Sequence, residues 1–379
     1  MTTTTEVNAP AGTPGWGEQA LAAVLERVRT TAAEVGPRFP LYAEPGTDRW
    51  TTTSRGSWTG GFWAGLLWLR ALAHGSATDR AEAAACTGRL AHWADRDTAT
   101  RGLVLWYGTA LAAGPGGDRT AAELRGRAAR ACLAAYDPEL RVVPWGDAFG
   151  GPRLLARADG VPGLVPLLPC APGGGAAAAR GHLTQHLELC LSEEPPRPSW
   201  QALGARRWTG RAEPAPGWSR TVAWLLLGAA DGLHFVPFRS EEGSTSVPRG
   251  DVTASGLWDA ARRLIAMRCD GPAQLVPHDG DPSGPVDTSA AAIEAVAVLK
   301  LASLARAEGR TSEADRLAGR AEAVLRRLCA HHLSPSGGLL DGCYDAARGV
   351  AVRHELVWGD FFLALGLAVV TGLVGPFAT

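Results

Sequence analysis

The chain has 379 residues, 46% apolar and 20% charged, which supplies a large buried core and excludes wholesale disorder. Its 37 basic and 38 acidic residues leave a net charge of −1, so no global basic field exists to hold nucleic acid or an anionic membrane. The aromatic set is lopsided, with 14 Trp against 4 Tyr and 8 Phe, and Trp suits a pocket wall that stacks on ring-shaped ligands.

In chain order, residues 1–15 have neither a basic n-region nor an apolar run, so they read as a disordered leader and not a signal peptide. From residue 16 onward, helical periodicity dominates and strand signals are scarce. Amphipathic, Arg/Glu-rich helices are expected over roughly 17–35, 79–95, 118–136, 176–191, 250–268 and 312–332. Between them lie segments that are apolar nearly all round, starting at Trp58, Asp97, Asp159, Trp218, Asp287 and Trp358. A helix that is apolar all round is buried on all sides, whereas an amphipathic one faces solvent. Six of each in alternation predict an all-α, single-domain (α/α)6 toroid over residues 16–379. The uncharged stretch from Phe361 to Ala378 is then a buried helix and not a membrane span. The seven Cys residues, Cys269 among them, are odd in number and lack metal-ligand spacing; they are expected to be reduced thiols of a cytoplasmic protein.

The toroid carries a functional expectation. Its six inner helices run parallel, so their N-terminal ends open on one face, and the polar and aromatic clusters fall at those ends. Helix N-termini favour anionic ligands. The bland alternative for Asp97, Asp159 and Asp287 is helix capping, which Asp performs well. Linkers 137–158, 192–217, 236–249, 269–286 and 333–357, rich in Gly, Pro and Trp, would surround the mouth as binding loops. His182 and His186 are four apart on an outer helix without a third ligand, and read as structural.

Several segments resemble one family in the right order. WSRTVAW at 218–224 is similar to W-A-R-G-Q-A-W of glycoside hydrolase family 88, the unsaturated glucuronyl hydrolases, and of the related unsaturated rhamnogalacturonyl hydrolases. WTGGFWAGLLWL at 58–69 resembles the family's first inner helix, DTSAAAI at 287–293 its D-S/T-S-A-x-A-I segment, and 338–362 its final run ending in W-G-D-Y-F. The resemblance spans about Trp50 to Leu373. It implies hydrolysis of saccharides whose non-reducing end is a uronic acid with a C4=C5 double bond. A carboxylic acid protonates C4, water adds at C5, and the hemiketal rearranges to expel the aglycone, with no metal or organic cofactor. Asp159 takes the place of the principal catalytic Asp, with Asp97 as a second carboxylate. Trp58, Trp145, Trp218 and Trp358 are implied as an aromatic wall, and Arg220 as the ligand of the substrate carboxylate. Arg101, Trp224, Ser289 and Tyr344 complete the implied binding set, core packing being the alternative for Trp224.

Where the family has His-Asp-x-Gly-Phe on its second inner helix, this chain has Ala99, Thr100, Arg101, Gly102 and Leu103. Thr100 thus stands at the second catalytic Asp. The alternative is a non-hydrolytic or repurposed toroid, either carbohydrate-binding or a tailoring protein of secondary metabolism. On the first reading the partner is an anionic oligosaccharide, with no nucleic acid and no membrane, and the chain is a monomer or weak homo-oligomer.

Overall fold

A computed structural model describes residues 15–204, 207–237, 252–268, 275–280 and 282–379. All but the last residue of the expected leader, and Cys269, lie outside them. The outer helices are α1 (Trp16–Val35), α3 (Ala77–Arg89), α5 (Arg119–Ala134), α7 (Gly175–Cys190), α9 (Ala254–Ala266) and α11 (Thr311–His331). Each turns one apolar stripe inward: α11 buries Ala314, Leu317, Ala321, Val324, Leu325 and Leu328, at helical spacing. Local caps set several starts. Ser76, Asp118 and Thr253 accept N–H groups of the first turns of α3, α5 and α9 at 3.3, 2.8 and 3.1 Å.

The inner helices are α2 (Gly60–His74), α4 (Tyr107–Ala113), α6 (Leu164–Leu167), α8 (Arg220–Phe235), α10 (Thr288–Ala307) and α12 (Val357–Val370). A π-helical turn, Gly102–Trp106, precedes α4. Contacts close the ring in the order α2, α4, α6, α8, α10, α12 and back to α2, with the π-helical turn linking α4 to α6, so the fold is the expected (α/α)6 toroid. Its lumen is packed: Phe62, Tyr107, Phe361 and Phe362 lie with ring centroids 5.1–5.5 Å apart. Gly61 permits the close approach of α2 to the π turn, because a Cβ there would lie 2.3 Å from the Leu103 carbonyl oxygen. Helix α10 is long and apolar enough to cross a membrane, but it is buried in the ring. The uncharged C-terminal stretch is helical only as far as Val370.

Strands are more numerous than the sequence pattern suggests. β1 (Phe39–Ala43), β2 (Trp50–Thr53), β6 (Gly342–Asp345) and β7 (Val350–Leu356) form an antiparallel sheet in the order β2-β1-β7-β6. β3 (Leu155–Arg157), β4 (Ser199–Gly204) and β5 (Arg207–Gly210) form a second. Runs this short show too little alternation to announce themselves. Because β2, β3 and β7 each feed an inner-helix start, both sheets stand on the face where those helices begin.

Two buried ion clusters tie the layers together. Arg27 of α1 donates to both Glu355 oxygens at 2.9 and 2.6 Å. Beside them, Asp360 accepts the Leu339 N–H at 2.8 Å and is hydrogen-bonded to Glu355. Burial, then the Glu355 charge, pushes the Asp360 carboxyl well above the usual range. Toward the other end of the ring, Lys300, the chain's only lysine, donates to Asp231 at 2.5 Å and to the Thr379 main-chain oxygen at 2.7 Å.

Candidate active site

Asp159 lies on a 3-10 turn, Ala158–Gly160, between β3 and α6. The turn is anchored on both flanks: Ala158 N–H donates to Pro198 O at 2.9 Å, and Gly160 O accepts from His182 Nε2 at 3.1 Å. The Asp159 side chain caps nothing, so capping does not explain it. It forms a bidentate pair with Arg157, Nε to Oδ1 at 3.0 Å and Nη2 to Oδ2 at 2.9 Å. Both partners keep some solvent access, with side chains 22% and 15% exposed. The Arg157 guanidinium stands 4.2 Å from the Trp145 ring centroid. Trp145 is held by its backbone, its N–H donating to Leu155 O at 3.0 Å and its carbonyl accepting from Ala99 N at 3.1 Å. Trp145, Arg157 and Asp159 therefore form one stack of ring, cation and carboxylate.

The second inner helix looks different. Thr100 is buried and its hydroxyl bonds that of Thr98 at 2.8 Å. Arg101 points inward, donating to Thr98 O at 3.0 Å and Ala94 O at 3.4 Å; at 3% exposed it does not reach the mouth, which corrects its expected substrate contact. Asp97 is half-buried, caps no helix, and pairs with Arg153 at 2.6 Å. The structure thus gives Asp97 and Asp159 separate arginine partners.

Around α8 and α10, one carboxylate collects the donors. Asp287 caps α10 through Ser289 N at 3.1 Å. It also accepts from Ser289 Oγ at 2.6 Å, Ser219 Oγ at 2.6 Å, Arg220 Nη1 at 2.7 Å and Cys343 N at 3.2 Å. Arg220 donates further to the Cys343 and Tyr344 carbonyls. The anionic partner expected for Arg220 is therefore Asp287, inside the protein, and not an open carboxylate subsite. Ser289 is likewise occupied and fully buried.

Trp58, Trp218, Tyr344 and Trp358 stand around the starts of α2, α8 and α12. Trp58 donates to Tyr344 Oη at 3.2 Å and packs on Trp358 at 4.8 Å between centroids. Tyr344 and Trp358 are 5.3 Å apart, and Trp218 stands 4.7 Å from the Arg220 guanidinium. Trp58, Trp218 and Tyr344 are half-buried, whereas Trp358 is fully buried and backs the wall. Trp224 is core: it is buried and packs on Phe362 at 5.7 Å, so its expected place in the pocket is corrected.

Two residues escaped the sequence reading, and a third, His182, was read as structural without its partners. Arg157, two positions before Asp159, was visible only as a charge at the end of an unforeseen strand. Asp279 accepts the Ser219 N–H at 2.8 Å and lies 3.7 Å from the Cys343 thiol. Burial, then Asp279 and Asp287, push that thiol up to about 12, which makes it a poor nucleophile. His182 bonds residues far away in sequence, and no local signal reveals that. Among the described residues, no group of three His, Cys, Asp or Glu is placed to hold a metal, and six cysteines are free thiols.

No protein-family model and no curated protein sequence matches the chain. Solved structures do. The unsaturated glucuronyl hydrolase of Bacillus sp. GL1, described as responsible for the degradation of glycosaminoglycan, superposes with a TM-score of 0.76. It is 19% identical, over 93% of this chain and 96% of that one. The chain has the fold of the unsaturated glucuronyl hydrolases. One described as specific for heparin gives a TM-score of 0.78 at 18% identity, over 94% and 98% of the two chains. A mutant of the Streptococcus agalactiae enzyme, complexed with dGlcA-GalNAc6S, gives 0.68 at 15% identity, over 95% and 92%.

Proposed function

We propose that the protein is a glycoside hydrolase acting on a saccharide that ends in an unsaturated uronic acid, by hydration of the C4=C5 double bond. One observation carries this reading. Asp159 heads the third inner helix of a glucuronyl hydrolase fold, beside Trp145, with its carboxylate free of any capping role. The saccharide complex of one structural neighbour supports the substrate class.

On this reading the cation offered to the substrate carboxylate is Arg157, because Arg220 is already bonded to Asp287. Binding the uronate draws Arg157 away from Asp159 and frees that carboxyl to face the double bond. Protonated Asp159 gives its proton to C4, and positive charge develops at C5 beside the ring oxygen. Water adds at C5 and returns a proton to the Asp159 carboxylate, so the net change is addition of one water. The hemiketal then opens and releases the aglycone. A single carboxyl serving both transfers fits a chain with Thr100 at the second acidic position. Trp145 forms the wall on one side, and Trp58, Trp218 and Tyr344 supply the rest. The proposed setting of this activity is the cytoplasm.

The test follows the ultraviolet absorbance of the double bond in a panel of unsaturated disaccharides. Wild type should bleach it, and Asp159→Asn should slow the reaction by about 10²-fold or more while its unfolding midpoint stays put. A fully active Asp159→Asn variant overturns the assignment. The second reading, a binding or repurposed toroid, is favoured by the Thr98–Thr100 hydroxyl bond that fills the second catalytic corner. Calorimetric binding of the same disaccharides without bleaching would select it.

A further inference from the structure

We infer that His182, on outer helix α7 and behind the mouth, is a positioning residue that holds Trp145 and Asp159 in register with one another. Its ring is fully buried and bridges the backbones of the two segments. Nδ1 accepts the Val143 N–H at 3.1 Å, two residues before Trp145. Nε2 donates to Gly160 O at 3.1 Å, the residue after Asp159. Both segments are loop or turn: Val143–Trp145 lies between isolated bridges at Val142 and Gly146, and Gly160 ends a 3-10 turn that follows strand β3.

The two bonds determine the tautomer. A carbonyl oxygen can only accept, so Nε2 carries the hydrogen; an amide N–H can only donate, so Nδ1 presents its lone pair. A doubly protonated ring would set N–H against N–H at Val143. Burial also holds His182 well below the usual histidine range, with neighbouring His186 acting in the same direction. The ring therefore stays neutral, and His186, whose Nδ1 bonds His182 O at 2.7 Å, fixes it from behind. Loss of either bond would strand a buried polar group and loosen one segment only.

That asymmetry is the test. Glutamine places an amide donor near the Nε2 position and keeps the Gly160 bond, while losing the acceptor for Val143. Asparagine places an oxygen near Nδ1 and keeps the Val143 bond, while losing reach to Gly160. In His182→Gln, amide hydrogen exchange should rise by about tenfold at Val143 and Trp145 and stay unchanged at Val161. His182→Asn should show the reverse. The kinetic arm rests on the hydrolase reading above. On an unsaturated disaccharide, His182→Asn should lower kcat by about tenfold with KM held, and His182→Gln should raise KM with kcat held. Exchange that changes alike in both segments, or in neither, overturns the inference. A wild type without turnover sinks the hydrolase reading alone, because the exchange arm still decides the role of His182.

Discussion

Arg157–Asp159 and Arg220–Asp287 are the same ion pair in two settings. Their shortest contacts are nearly equal, 2.9 and 2.7 Å. The first keeps some solvent access, with partners 22% and 15% exposed, and among the described residues Arg157 is its carboxylate's only side-chain partner. The second is sealed, with Asp287 saturated by donors from Ser219, Arg220, Ser289 and Cys343. A carboxylate with every lone pair engaged organises backbone. One held by a single exchangeable cation can exchange a proton or a partner. What separates a scaffold aspartate from a reactive one here is therefore the remaining bonding capacity, not the identity of the pair.

The largest way to break this comparison is at the sealed pair. Asp287→Ala leaves Arg220 buried and unpaired and removes the α10 cap, and should destabilise the fold by about 3–5 kcal/mol in denaturant unfolding. A change under about 1 kcal/mol, the range of exposed pairs, would show that the two pairs are not different in kind.

A third arginine sharpens the comparison through pH. Arg27 faces two buried carboxyls, Glu355 and Asp360, both raised by burial. Their folded pKa values lie above the unfolded ones, near ~4 for Asp and Glu. The stability tied to these protons is thus fully present below that value and is lost as pH rises through the folded ones. Wild type should lose thermal midpoint on going alkaline. Asp360→Asn, which keeps a donor toward Glu355 and cannot ionise, should flatten that loss. Parallel curves would show that the carboxyls share no proton.

The smallest expected effect is at the open pair. Arg157→Gln should raise KM for an unsaturated disaccharide by about tenfold, ~1.4 kcal/mol, with little change in unfolding. An unchanged KM would return the substrate carboxylate to another cation.

The toroid was legible because two kinds of helix alternate, and burial writes itself into composition: α12 has no polar face, whereas α11 has a clear one. The starts of the inner segments were legible from their Trp and Asp residues. The site was legible only where a residue's role is local. Asp159 and Trp145 stand together, as their shared segment implies. Arg220 was read correctly as needing an anion, but Asp287 lies 67 residues further on, and nothing local distinguishes an internal anion from a bound one. Arg101 and Trp224 were placed by resemblance, and both side chains turn into the protein, 3% and 1% exposed. The rim strands escaped because three to seven residues are too few to show a period.

The chain's one lysine is 1% exposed, its ammonium held between Asp231 and the Thr379 main-chain oxygen. Folded molecules therefore present no lysine amine to an acylating reagent. Modification of Lys300 counts only molecules that have opened that end of the ring, which makes a single mass shift a direct gauge of how often the barrel comes apart.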